Sequence, residues 1–356
     1  MRMTDRHRDA RMRASNHQEL NVPALSAYLR EHLPGFAGPL SLRRFENGQS
    51  NPTFKLVSRD RSYVMRTKPG PAAMLLPSAH AIEREYRVMS ALAGTEVPVP
   101  QVYCLCEDET VIGRAFYVME LIDGRVLWEQ SLPGLAIVER QAVYAEMNRV
   151  IAALHSLDYA AVGLATFGKP GNYLARQASR WSKQYRASET ERIDAMDRLI
   201  EWLPGHLPPE GEPAIVHGDY RLDNLMFAHD EPRVVAVLDW ELATLGDPLA
   251  DFSYHCLSWH LPPGPLRGIA GLDLNALGIP QEEEYLAMYC RRTARQPPAH
   301  WDFYLAYNLF RAAAISQGIV KRAADGTAAS ARALVNKDLV LPLASAGWEI
   351  ARRLDR

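Results

Sequence analysis

Strong charge of either sign, long apolar runs and abundant cysteine are all missing from this chain. Its 40 Lys and Arg stand against 42 Asp and Glu, giving a formal net charge of -2 and an isoelectric point near 6.6. No global field therefore recruits nucleic acid or an anionic membrane. No apolar stretch approaches the roughly 20 residues that span a bilayer, which argues against a membrane protein. The four cysteines, Cys104, Cys106, Cys256 and Cys290, occur in a chain of 356 residues with no visible signal peptide. They read as reduced thiols and place the protein in the cytoplasm. Alternation in Val102-Tyr103-Cys104-Leu105-Cys106 puts two of them on one face of a strand, as small core hydrophobes rather than a metal pair. Internal repeats and low-complexity tracts are absent as well. Residues 1–19 are Arg-rich, almost free of large apolar side chains, and read as a mobile basic tail. What remains, 47% hydrophobic and 23% charged, is enough for two lobes with their own cores.

Against this ordinary background one segment stands out: His217-Gly218-Asp219-Tyr220-Arg221-Leu222-Asp223-Asn224, followed by Asp239 in Val237-Leu238-Asp239-Trp240-Glu241. An Asp, an Asn five residues on and a later Asp match the catalytic layout of protein-kinase-like phosphotransferases. In that layout Asp219 accepts the proton of an attacking hydroxyl, while Asn224 and Asp239 hold Mg²⁺ against nucleotide phosphates. Leu225–Phe227 and Val234–Leu238 read as strands around the polar turn His229–Pro232, a hairpin that returns Asp239 toward the loop. Arg221 is placed to neutralise charge developing on the transferred group. His217 reads as a brace of the loop, and Asp247 and Asp251 as N-capping and loop-bracing residues.

The order of elements is consistent with this layout. A helix is expected from Asn21 through Leu25, Leu29 and Leu33 to Pro34-Gly35, then strands at Leu40–Phe45, Thr53–Ser58 and Ser62–Thr67. A helix over Ser78–Leu92 precedes strands at Gln101–Cys106 and Arg114–Leu121. After Gly124 the pattern becomes helical, over Leu135–His155, Tyr173–Tyr185, Arg192–Leu203, Pro248–Trp259, Glu282–Arg292, Trp301–Arg322 and a last helix to Leu354. The only strand signals there flank the catalytic loop. The expected fold is α+β and protein-kinase-like: a small β-rich lobe over 20–122 that binds nucleotide, and a larger, mostly helical lobe over 123–356 carrying the catalytic loop and substrate pocket.

Within the first lobe, Glu46–Pro52 joins two strands, and Gly48, Gln49 and Ser50 can present N–H and hydroxyl donors to a phosphate. An ordinary hairpin turn fits that stretch equally well. The third strand offers Arg66 or Lys68 to the phosphates, with Glu83 or Glu85 as the helix partner; Arg66 and Glu85 fit the pattern better. Adenine would meet backbone groups around Glu120 and Ile122, with Met119 behind it. Asp239-Trp240-Glu241 replaces the Asp-Phe-Gly of protein kinases, and no activation segment follows. Both features favour small-metabolite acceptors over proteins.

These residues also resemble a family, the aminoglycoside phosphotransferase and choline kinase superfamily. More narrowly, the chain is similar to the kinase-like domain at the front of acyl-CoA dehydrogenase family members ten and eleven and to its free-standing bacterial relatives. The similarity runs from about residue 40 to 325. It rests on Leu76 through Tyr86, on Gly171-Asn172-Tyr173 with Gln177, Arg180-Trp181 and Gln184-Tyr185, on the catalytic loop, and on Asp239-Trp240-Glu241 with Gly246-Asp247-Pro248. The resemblance implies a bilobal kinase-like fold, ATP and Mg²⁺ as cofactors, and phosphorylation of a small-molecule hydroxyl. Arg66 stands where the family has a phosphate-contacting Lys.

The acceptor is read from charge. From Asp251 onward there are 10 acidic and 12 basic residues, a poor source for the carboxylate-rich pocket that a polycation needs. Tyr304, Tyr307, Asn308 and Arg311 share one broad helix face. With Tyr173, Trp181 and Trp259 they are expected to line an aromatic, cationic pocket, although core packing explains each aromatic alone. Arg311 needs a partner inside so apolar a helix: an internal carboxylate, or a substrate carboxylate or phosphate. The acceptor expected is an anionic hydroxy acid or hydroxyacyl-CoA. An antibiotic kinase of the aminoglycoside type and a catalytically silent nucleotide-binding module are the alternatives.

Overall fold

The computed structural model describes residues 20–45, 51–59, 61–69, 81–169, 171–325 and 330–354. The expected phosphate-loop residues Gly48, Gln49 and Ser50 lie outside the described residues, as do the 1–19 tail and residues 76–80 of the family segment.

Helix α1 (Val22–His32) begins as its sequence dictates: Asn21 accepts from the Ala24 N–H at 3.1 Å, and a proline occupies the first turn. Leu25, Leu29 and Leu33 form its buried stripe and join a core of Leu56, Tyr63, Met65, Cys104, Cys106, Phe116 and Val118. Each fully buried leucine contributes about 1.5–3 kcal/mol. The two cysteines are thus core hydrophobes. The core covers one face of an antiparallel five-stranded sheet made of β1 (Ser41–Arg44), β2 (Thr53–Val57), β3 (Ser62–Thr67), β4 (Val102–Cys106) and β5 (Phe116–Glu120), in the order β1-β2-β3-β5-β4. Period-two alternation on β3 sends Tyr63 and Met65 into this core and turns Arg66 to the other face. Helix α2 (Ile82–Leu92) buries Ile82, Glu85, Val88, Met89 and Leu92, so one carboxylate sits in an otherwise apolar stripe.

These elements form one compact unit with the later segment Val235–Ala243. That segment is tied in by the Val237 N–H on the Pro98 carbonyl at 2.8 Å and by Arg84 on the Ala243 carbonyl at 3.2 Å. The division therefore differs from a single cut near residue 122, because a hydrogen-bonded segment from far along the chain belongs with the first strands.

The second unit comprises Arg125–Val234 and the chain from Thr244. It contains β6 (Arg125–Val126), α3 (Ile137–Ser156), α4 (Tyr173–Ser188), α5 (Asp194–Trp202), β7 (Ala214–Val216), β8 (Leu225–Phe227), β10 (Thr244–Gly246), α6 (Pro248–Cys256), α7 (Leu274–Leu277), α8 (Glu282–Thr293), α9 (Trp301–Ala324) and α10 (Ser330–Leu354). Strand β9 (Val234–Val237) follows β8 through a turn closed by the Ala228 N–H on the Arg233 carbonyl at 2.9 Å. Strands β7 and β10 pair antiparallel, and β6 pairs with β8; of these four, only β8 carries a strand signal in the sequence. Gly246 must be glycine, since a Cβ there would come within 2.6 Å of the Tyr173 ring. Helix α9 is buried along most of its length, from Phe303 to Gly318. No described helix is long and apolar enough to cross a membrane.

Candidate active site

The first unit holds a buried polar cluster around Glu85, which is 1% exposed. Its carboxylate accepts from Asn51 Nδ2 and from the Tyr117 hydroxyl, both at 2.9 Å, and pairs with Arg66 Nε at 3.0 Å. Burial pushes the Glu85 carboxyl above the usual carboxylate range, while the Arg66 guanidinium pulls the other way. The far end of the same guanidinium reaches Asp239 Oδ1 at 3.1 Å and Glu241 Oε2 at 3.3 Å. Arg66 is therefore a bridge between helix α2 and the Asp239 turn. Asp239 itself has φ of +67°, a left-handed conformation rare outside glycine. The single turn after it, Trp240–Leu242, is anchored by the buried Trp240, whose Nε1 donates to the Val237 carbonyl at 3.0 Å. Lys68 pairs with Glu83 on the half-exposed side. Of the two basic candidates, Arg66 is the one joined to both a buried carboxylate and Asp239. Strand β5 ends at Glu120, whose N–H is taken by the Gln101 carbonyl at 2.8 Å; Met119 is half-buried and Ile122 follows in the connection.

The second unit carries the loop 217–224. Asp251, on α6, accepts the backbone N–H of His217 at 2.7 Å and of Gly218 at 2.8 Å, and meets His155 Nε2 at 3.2 Å. Asp247 caps the same helix through the Leu249 N–H at 2.8 Å. His217 Nδ1 accepts the Asp219 N–H at 3.1 Å, which leaves its proton on Nε2. The Asp219 carboxylate takes the Tyr254 hydroxyl at 2.7 Å, the Arg221 guanidinium at 3.0 Å and Asn224 Nδ2 at 3.0 Å. Asn224 Nδ2 also donates to the Asp219 carbonyl at 2.8 Å, so the amide oxygen is the end available to a cation. Burial raises the Tyr254 hydroxyl well out of its titrating range and the neighbouring Asp219 adds to this, which keeps it a donor.

The expected aromatic pocket is only partly assembled. Tyr173, Trp181, Tyr307 and Arg311 share one core, but Arg311 is spent internally. It donates to the Gly218 carbonyl and lies 5.6 Å and 4.7 Å from the Trp181 and Tyr254 rings. Among the described residues no carboxylate pairs with it. Trp259 is elsewhere: its Nε1 donates to the Pro280 carbonyl and its ring packs on Tyr144 and Tyr285. The pocket reading fails for Trp259 because the helix ends at Cys256 and a tighter turn rotates the tryptophan away.

A cavity of about 200 Å³ instead opens beside Tyr254, lined also by Arg221, Asp223, Arg267 and several leucines. Sequence reasoning missed Tyr254 and Arg267. Tyr254 carried a usable signal, since Asp247, Asp251 and Tyr254 recur at helical spacing. Arg267 lies in a loop and carried none.

The model of the phosphotransferase enzyme family matches residues 41–307. Acyl-CoA dehydrogenase family member 10 of Mus musculus is 49% identical over 333 residues, covering 93% of this chain and 31% of its own length. Family member 11 of Rattus norvegicus is 40% identical over 342 residues, with 94% and 44% covered. The chain thus spans less than half of these curated relatives. A solved Ralstonia eutropha JMP134 protein, provisionally assigned as an aminoglycoside phosphotransferase, is 60% identical with a TM-score of 0.87, covering 94% of this chain and 99% of its own. Choline kinase from Cryptosporidium parvum shares the fold at a TM-score of 0.64 and 11% identity, covering 94% and 96%. With its α+β kinase-like architecture and the loop built around Asp219, the chain belongs to the phosphotransferase enzyme family.

Proposed function

We propose that this protein transfers the γ-phosphoryl group of ATP to a hydroxyl of a small metabolite, with Asp219 as general base. The observation that carries the proposal is the triple anchoring of the Asp219 carboxylate by Tyr254, Arg221 and Asn224. A base held in this way meets the incoming hydroxyl in a fixed orientation. A silent nucleotide-binding module has no physical need of such an arrangement. Arg221 serves as the charge partner of the transferred group.

On the nucleotide side Arg66 faces the phosphates, with Glu85 fixing its guanidinium, and the backbone after Glu120 meets the base. Asn224 and Asp239 would hold Mg²⁺, one amide oxygen and one carboxylate. Among the described residues no group of three or more His, Cys, Asp or Glu could hold a metal alone. An amide or carboxylate oxygen suits an ion that takes its other ligands from phosphates and water. Bound there, Mg²⁺ would offset negative charge on the phosphates. Arg66→Ala should raise the KM for ATP about 10–100-fold, the value of a lost charge-assisted hydrogen bond, and Lys68→Ala much less. A larger loss with Lys68→Ala would reassign the phosphate contact.

The acceptor we propose is an anionic hydroxy acid or hydroxyacyl-CoA. The cavity next to Tyr254 presents two guanidiniums, one carboxylate and a leucine wall. Its roughly 200 Å³ lies below the ~300–1,000 Å³ of sites for drug-sized ligands. The two guanidiniums disfavour a polycationic aminoglycoside, and the volume admits only the acyl end of a thioester. ATP consumption measured across hydroxy acids, hydroxyacyl-CoA thioesters and kanamycin tests the choice. Turnover of an acid or thioester is expected; efficient use of kanamycin with no turnover of the others overturns it.

A further inference from the structure

The loop between Trp259 and Leu272 holds Arg267 in a conformation that its own chemistry does not favour. Its φ is +55°, a left-handed backbone that costs a non-glycine residue about 1–3 kcal/mol. The surrounding turn fixes it there: the Arg267 N–H donates to the Gly264 carbonyl at 2.9 Å, Gly268 N–H to Pro262 at 3.0 Å and Ile269 N–H to Ser258 at 2.7 Å. Gly268 is required for this path, since a Cβ would meet the Leu261 carbonyl oxygen at 1.6 Å.

What the turn delivers is a guanidinium at the cavity beside Tyr254. One of its N–H groups pairs with Asp223, the residue before Asn224. Its face lies 5.7 Å from the ring of Trp128, a tryptophan left 49% exposed at the same cavity. The Arg267 side chain is itself 47% exposed, against 10% for Asp223. A guanidinium has five donors in a planar fork, so the pairing with Asp223 leaves most of them available to solvent or ligand. Leu257, Leu261, Leu266, Leu339 and Leu343 also line the cavity, as does Tyr254, which donates to Asp219. The cavity thus combines apolar side chains with an exposed cation, and Tyr254 links it to the proton acceptor Asp219.

We infer that Arg267 is a specificity-determining residue that binds the anionic group of the acceptor, stacked over Trp128, while an aliphatic segment of the same molecule lies against the leucines and its hydroxyl meets Asp219. The inference rests on the proposed function only in treating the ligand as the phosphoryl acceptor. The ligand class it names is an aliphatic hydroxyl compound whose carboxylate or phosphate is separated from the hydroxyl by an apolar segment.

The test uses the full chain with Arg267→Gln and Arg267→Lys. Kinetics are measured for a straight-chain hydroxy acid, its CoA thioester and the neutral diol of equal length. Binding of hexanoate, which has no hydroxyl, is followed by tryptophan fluorescence, with Trp128→Phe identifying the responding ring. Arg267→Gln should raise the KM of the acid about 10–100-fold while kcat and the diol constants stay near wild type, with Arg267→Lys in between. An effect confined to the thioester assigns the anion as phosphate, and one shared with the free acid assigns it as carboxylate. Hexanoate binding should be lost in Arg267→Gln and kept in Asp219→Asn. Equal losses for acid and diol would make Arg267 a mere brace of the catalytic loop and overturn the inference, as would unchanged hexanoate binding together with an unchanged KM for the thioester in Arg267→Gln. Arg267-dependent hexanoate binding without any phosphorylation would instead uphold the anion site and remove the kinase reading.

Discussion

Asp219→Asn should lower turnover about 10²–10⁴-fold while nucleotide affinity stays near wild type. The amide keeps the shape of the carboxylate and can still accept from Tyr254 at the oxygen beside which Arg221 lies at 3.0 Å. At its other end it meets the Asn224 amide nitrogen, a donor that the carboxylate now satisfies at 3.0 Å. The loss should therefore fall on proton acceptance, with a small additional cost from two facing donors. Steady-state kcat on an accepted substrate and calorimetric ATP binding separate these effects. Unchanged turnover would remove Asp219 from the role of base.

The second large effect is on stability. Asp251→Ala should destabilise the second unit by about 3–5 kcal/mol, because it removes the one acceptor shared by two buried backbone N–H groups and a buried histidine. Asp251 is 3% exposed, so water cannot replace it without opening the loop. Burial alone would raise its carboxyl, but the His155 and His217 contacts outweigh burial and hold it below the usual range. A group whose folded value is depressed stabilises fully above its unfolded value and loses that contribution as pH falls. The deficit of Asp251→Ala in thermal unfolding should accordingly be largest near neutrality and shrink in acid. A pH-independent loss within the ±0.5 kcal/mol of ordinary surface changes would show that the loop is held by something else.

Much of the fold was legible because its signals are local. Asn21 and the Leu25, Leu29, Leu33 spacing define α1, and alternation on β3 turns Arg66 away from the core, where the structure pairs it with Glu85. Glu85 itself was the harder choice, since only the packing of α2 tells a buried carboxylate from the half-exposed Glu83. Strands β7 and β10 were not legible. They pair across a stretch that includes the whole catalytic loop, so no local turn signal marks them. Arg311 shows the limit differently: its need for a partner follows from sequence, but a backbone carbonyl and two ring faces emerge only from tertiary packing. Arg267 had no signal at all, because its position depends on a hydrogen-bonded loop and on a glycine contact that no periodicity records.

Product stoichiometry tests phosphoryl transfer through Asp219 most directly. With an accepted hydroxy acid or its thioester, mass spectrometry should find one phosphorylated acceptor per ADP formed, both abolished by chelating Mg²⁺ and both reduced in parallel by Asp219→Asn. ADP formed at the wild-type rate by Asp219→Asn, or ADP formed with no phosphorylated acceptor, would contradict it.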